Sequence, residues 1–246
     1  MPAIRPSLAA FVLGLAVLAA PAVGSAAAMD DITAANKAGK TVFLVVTDAA
    51  AKNLDAARKV ANQAMQKTPN STVVELNRSD PAQAAAVKGY RVAGAPVPLV
   101  MVIAPNGVAA GASLVKKGAL DRLMRLVPTP GKAAYLKVLS QRQTAIVVFS
   151  HAKMPQQSQA FAEVSKVVSA AQGKVNTVTV DVTAPSEQKF LKEWKVDPKA
   201  TQPTIIVMNA KGLTLGRHNG APTSTQLLET TKKKPCCGNP GCSGCK

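Results

Sequence analysis

Gly94-Ala-Pro-Val-Pro98-Leu-Val-Met-Val-Ile103-Ala-Pro-Asn-Gly107 and, a little over a hundred positions on, Thr201-Gln-Pro203-Thr-Ile-Ile-Val-Met208-Asn-Ala-Lys-Gly212 read as one pattern written twice. In each copy a proline introduces a short, β-rich apolar run that suits a strand buried on both faces, and an Asn/Gly turn closes it. Other landmarks keep the same spacing. Pro81 and Pro185, Tyr90 and Trp194, and Val92 and Val196 are each 104 apart, while Pro98 and Pro203, and Gly107 and Gly212, are 105 apart. A drift of one residue over five landmarks marks an internal duplication.

Working outward, the first copy opens with the strand Thr41 to Val46. A helix follows over Leu54 to Gln66, where Leu54, Ala57, Val60, Ala61, Ala64 and Met65 recur at helical spacing. Next come the strand Thr72 to Leu76 and a short helix that Asp80 caps and Pro81 starts. The strand Leu99 to Ile103, a weak strand Val108 to Ala112 and a helix Lys116 to Leu126 complete it. The second copy predicts strands at Ala145 to Phe149, Val175 to Val180, Thr204 to Met208 and Leu213 to Gly216. Its helices fall at Gln156 to Ala171, Pro185 to Trp194 and Ser224 to Thr230. Val127 to Gly131 reads as a linker, followed by a lead-in helix Ala133 to Gln141.

This order, with a proline before the third strand of each copy, resembles the thioredoxin-like family over nearly all of residues 40 to 230. The resemblance implies an α/β chain of two tandem thioredoxin-like domains, each a mixed central sheet flanked by helices. It also implies that Pro98 and Pro203 are cis-prolines bordering grooves for extended peptide. In the family a Cys-x-x-Cys pair opens the first helix, where unpaired N–H groups and the helix dipole favour the thiolate. Here the second copy reads Phe149-Ser-His-Ala-Lys-Met154-Pro155-Gln156-Gln157, so Met154 and Gln157 stand in the cysteine positions of a degenerate active-site loop. The first copy reads Val46-Thr-Asp-Ala-Ala-Ala-Lys-Asn-Leu54 and has none either. Thioether and amide cannot exchange with a disulfide, so neither copy alone is expected to run dithiol chemistry.

The two ends differ from this body. Arg5, the apolar run Leu8 to Ala20 and Ala26-x-Ala28 read as a secretory signal over residues 1–28, too short to span a bilayer, which takes about 20 apolar residues. That divides the chain into the signal, domains at 29–127 and 128–231, and a Lys/Cys-rich tail at 232–246. The expected location is periplasmic or secreted, without a membrane span after cleavage. The formal net charge is +17 and falls only by Arg5 when the signal is removed. Such a field attracts anionic surfaces. Nucleic acid is disfavoured as a partner, because aromatic residues make up only 3% of the chain and the lysines form no single stripe.

All four cysteines, Cys236, Cys237, Cys242 and Cys245, lie in the tail among Gly, Pro and Asn, which implies a flexible segment able to wrap around an ion. Four thiolates match a tetrahedral Zn site, and three suit Cu(I). Lys232, Lys233, Lys234 and Lys246 would offset the resulting negative charge. The expected function is an exported, non-catalytic binding protein that captures Zn or Cu(I) through the tail. One alternative is thiol-disulfide exchange by Cys242 and Cys245; another is an envelope scaffold that contacts extended peptide or another envelope protein. Elsewhere His151 with Met154 supplies too few ligands for copper, His218 reads as an exposed residue without a partner of ligand type nearby in sequence, and Asp48, Asp181 and Glu193 suggest no paired carboxylates.

Overall fold

The computed structural model describes residues 28–233, so the stretch before Ala28 that reads as a secretory signal and the four tail cysteines lie outside the described residues. Two four-stranded mixed sheets organise what remains. In the first, β1 (Thr41–Thr47) lies between β2 (Ser71–Asn77), parallel to it, and β3 (Leu99–Ile103), antiparallel, with β4 (Ala109–Leu114) at the edge. The second repeats the order β6-β5-β7-β8 with β5 (Thr144–Ser150), β6 (Val175–Asp181), β7 (Thr204–Met208) and β8 (Thr214–Asn219). The duplication extends to irregularities. A break in register falls between Val102 and Ile103 in one sheet and between Val207 and Met208 in the other.

Every residue of β1 is buried, because helices cover both faces and successive side chains point to opposite sides. Val42, Leu44 and Val46 pack with α1 (Ala28–Lys37) and α3 (Ala84–Gly89), through Ile32, Ala35 and Ala86. Phe43 and Val45 pack with α2 (Leu54–Lys67) and α4 (Ala119–Leu126), through Ala57, Ala61, Ala64 and Leu123. The second unit has the same layers. Ala145, Val147 and Phe149 meet α5 (Pro130–Ser140) and α7 (Gln188–Glu193), while Ile146 and Val148 meet α6 (Gln157–Ala170) and α8 (Ser224–Lys232). The α5 and α7 face is aromatic: Tyr135, Phe149, Phe190 and Trp194 meet with ring centroids 5.7–6.2 Å apart.

Three expectations need correction. Helix α1 had no counterpart among the predicted elements, yet it is the twin of the lead-in helix α5. The helix expected from Lys116 starts at Ala119, because Gly118 adopts a left-handed backbone (φ 75°) and Arg122 donates to the Lys117 carbonyl, holding 116–118 as a turn. Helix α5 starts at Pro130 with Thr129 accepting from Lys132 N–H as its cap, which shortens the linker to Val127–Thr129.

The units are joined by donors that reach main-chain carbonyls. Asn106 Nδ2 donates to Ala133 O (2.7 Å), and Lys189 Nζ donates to Met124 O (3.1 Å) and Val127 O (2.7 Å) at the end of α4. A cation there complements the negative end of the helix dipole. Burial holds the Lys189 ammonium below the usual lysine value, with Lys132 adding to the effect and Glu193 opposing it.

Candidate functional site

In the second unit the chain leaves β5 at Ser150 and turns through His151–Gln156 before α6 begins. Met154 N donates to His151 O (2.9 Å), Lys153 N donates to His151 Nδ1 (3.3 Å), and Gln157 N donates to Met154 O (3.2 Å). These bonds turn Met154 inward, where it is 4% exposed and fills the cluster around Phe149 and Phe190. The thioether is spent on packing, in keeping with the adaptability of methionine in irregular gaps. Among the described residues no three His, Cys, Asp or Glu side chains gather as a metal site.

Gln156 holds a left-handed conformation (φ 62°) at the start of α6 and makes no side-chain cap. A Cβ added to Gly220 would fall 2.5 Å from Gln156 Oε1 and 3.2 Å from Gln202 Oε1, so both carboxamides converge on that glycine. Gly220 N in turn donates to Pro203 O (2.8 Å). The degenerate loop, the Gln202-Pro203 step and the turn after β8 are therefore brought together through two carboxamides. An adjoining cleft of ≈ 330 Å³ is lined by Gln202, Thr204, Arg217 and Asn219 among others. Its lining also includes Lys195, Asp197 and Thr201, and it holds no cysteine.

The corresponding place in the first unit is an ion pair. Asp48, the first residue after β1, accepts from Arg78 Nη2 (2.7 Å) and Nε (3.1 Å), both at Oδ2, and from Ala50 N at Oδ1 (3.0 Å). Arg78 Nη1 reaches the carbonyls of Ala93 (3.0 Å) and Ala95. One guanidinium thus binds the loop after β1 to the segment that leads into Pro98. The Val97–Pro98 peptide is cis, whereas Gln202–Pro203 is trans, which corrects the expectation of two cis-prolines. The approach from Val196 to Pro203 is one residue longer than that from Val92 to Pro98, and the extra residue supplies reach.

His218 also departs from expectation. It is half-buried on β8, with Nε2 3.0 Å from Thr230 Oγ1 on α8, rather than exposed. Burial, then the nearby Lys233 ammonium, push its pKa below the usual histidine value. The unfolded chain therefore binds the proton first as pH falls, and stability declines through and below about pH 6.5. Thermal melts between pH 7.5 and 5 should show this decline, and His218→Asn should flatten it.

No protein-family model matches the chain, and no curated protein matches it. Similar solved structures include the NTD_N/C domain of alkylhydroperoxide reductase AhpF from Enterococcus faecalis: 13% identity, TM-score 0.29, 82% of this chain and 98% of that one covered. The first two thioredoxin domains of Saccharomyces cerevisiae Eps1p show 10% identity and TM-score 0.31, covering 82% of this chain and 95% of that one. Human ERp44 in its zinc-bound form shows 10% identity and TM-score 0.35, covering 82% and 57%. The fold itself is read from strand order and crossovers: a parallel β1/β2 pair joined through α2, then two antiparallel strands and a closing helix, repeated in full. The chain is two thioredoxin-like units in tandem.

Proposed function

We propose that this is an exported, non-catalytic thioredoxin-like protein whose tail, through Cys236, Cys237, Cys242 and Cys245, captures Zn or Cu(I). The observation that carries the reading is where the sulfur stands: the chain has four cysteines, all after the second unit. The loops where this fold activates a thiol carry Asp48 bound to Arg78 in one unit and a core-buried Met154 beside Gln156 in the other. Thiolates are strong donors for both Zn and Cu(I), and the tail supplies four. Export rests on the apolar run Leu8 to Ala20 and the small-residue stretch before Met29; among the described residues no helix is long and apolar enough to cross a membrane. The paired units provide a body that docks extended peptide or another envelope protein beside Pro98 and Pro203.

Protein spanning 29–246, purified without oxygen, should contain about one equivalent of Zn or Cu by elemental analysis, and protein ending at 231 should contain none. Metal that persists after truncation would overturn the reading. Metal-free protein whose free thiols disappear and return reversibly, with loss of that behaviour in Cys245→Ser, would replace capture by thiol-disulfide exchange.

A further inference from the structure

The C-terminal end of α3 and the C-terminal end of α5 face one cleft of ≈ 490 Å³ between the first unit and the helix that introduces the second. Its walls include Tyr90, Arg91, Gly107, Lys137 and Arg142, and no carboxylate. Three other clefts each include one: Glu193, Asp197 or Asp31. Among the described residues none of Arg91, Lys137 and Arg142 forms a salt bridge. Basic residues at helix C-termini have an ordinary role in offsetting the dipole. Each helix end carries about half a negative charge, so two ends neutralise about one of these three cations.

Comparison of the two copies separates this cleft from an ordinary basic surface. Arg142 occupies the place that Gly39 has in the first unit: Arg142 N donates to Leu139 O and Gly39 N to Asn36 O, each at 2.9 Å. Both residues adopt left-handed backbone, φ 59° for Arg142 and φ 66° for Gly39. Glycine enters that region without steric penalty, while a side chain costs about 1 kcal/mol or more. Arg91, across the cleft, is left-handed too (φ 54°). Lys195, the twin of Arg91, is left-handed as well (φ 51°), so Arg142 in the place of a glycine is what sets this cleft apart: two arginines and a lysine line it, with no carboxylate among the lining residues.

We propose that this cleft is a binding site for a phosphate-type oxyanion. Guanidinium forks match phosphate oxygens in pairs, and Lys137 adds a point charge. The volume falls in the class of small-ligand sites and admits a diphosphate. The site is independent of the tail cysteines, and neither proposal needs the other.

Isothermal titration with inorganic pyrophosphate tests it on protein spanning 29–246, beside flotation with phosphatidylglycerol or phosphatidylcholine vesicles. Saturable binding that weakens with salt is expected. Arg142→Gly should lose at least tenfold in affinity while melting at the same temperature as the parent or higher, because glycine relieves the backbone. Lys195→Gln, at the twin position of Arg91 in the second unit, should bind as the parent does. Binding of phosphatidylglycerol vesicles alone, abolished by Arg142→Gly, would assign the same site to a lipid phosphate. Absence of binding from both sources, an unaltered affinity in Arg142→Gly, or an equal loss in Lys195→Gln would overturn the proposal.

Discussion

Replacing Glu187 by alanine should destabilise the second unit by about 3 kcal/mol and lower its melting temperature by about 10 °C or more. Glu187 is 4% exposed, just before α7, and its Oε1 accepts from Gly131 N (2.7 Å) in the first turn of α5. That bond closes a buried N–H that α5 cannot satisfy internally. Gly131 is there because nothing larger fits: an added Cβ would stand 2.9 Å from both Glu187 Oε2 and Val180 Cγ2. Truncating Glu187 leaves the Gly131 donor unpaired and opens a void at the root of α5, two of the costlier lesions a core can suffer. Glu187→Gln keeps the acceptor and should lose less. It does not reproduce the first unit, where Gln83 Nε2 donates to Asp80 Oδ2 (3.2 Å), because Ala184 stands at the position of Asp80. Scanning calorimetry should show the transition of the second unit moving away from that of the first. A Glu187→Ala protein that melts with the parent would refute the assignment.

Arg78→Ala should cost the first unit about 2 to 3 kcal/mol, through a different mechanism. The pair with Asp48 is mostly buried, with side-chain exposures of 21% and 16%, so solvent screens it little. Removing the guanidinium strands the Asp48 carboxylate and frees the carbonyls of Ala93 and Ala95 together. Arg78→Lys should recover little, since one ammonium cannot span a carboxylate and two carbonyls in fixed directions. Amide hydrogen exchange should quicken over residues 92–97 and around Asp48, while α6 to α8 stay protected. Uniform loss of protection across both units, or none, would contradict this role.

Which parts of this architecture could be read in advance follows from how local their causes are. Strands β3 and β7 match expectation residue for residue because a proline bounds each on one side and a turn on the other. Helix α1 was missed, although Ala28, Ile32 and Ala35 already show helical spacing. It comes soon after the apolar run Leu8 to Ala20, and its Ala-rich stretch carries little hydrophobic contrast. Shifting the expected lead-in helix Ala133 to Gln141 back by one repeat would have placed it. Glu187 left no trace, since Gly131 lies 56 residues away, and the Asp48–Arg78 pair spans 30. His218 misled because Thr230 comes from the next element. The convergence of Gln156 and Gln202 on Gly220 depended on three loops meeting, which periodicity does not encode.

Asn106 and Lys189 fasten one half of the chain to the other by gripping peptide oxygens alone. Every amino acid carries such an oxygen, so these bonds place no demand on the side chains of Met124, Val127 and Ala133, which answer to the packing around them instead. As far as these bonds go, each unit carries one restricted position, Asn106 in the first and Lys189 in the second, while the residues whose oxygens they take are restricted only by packing.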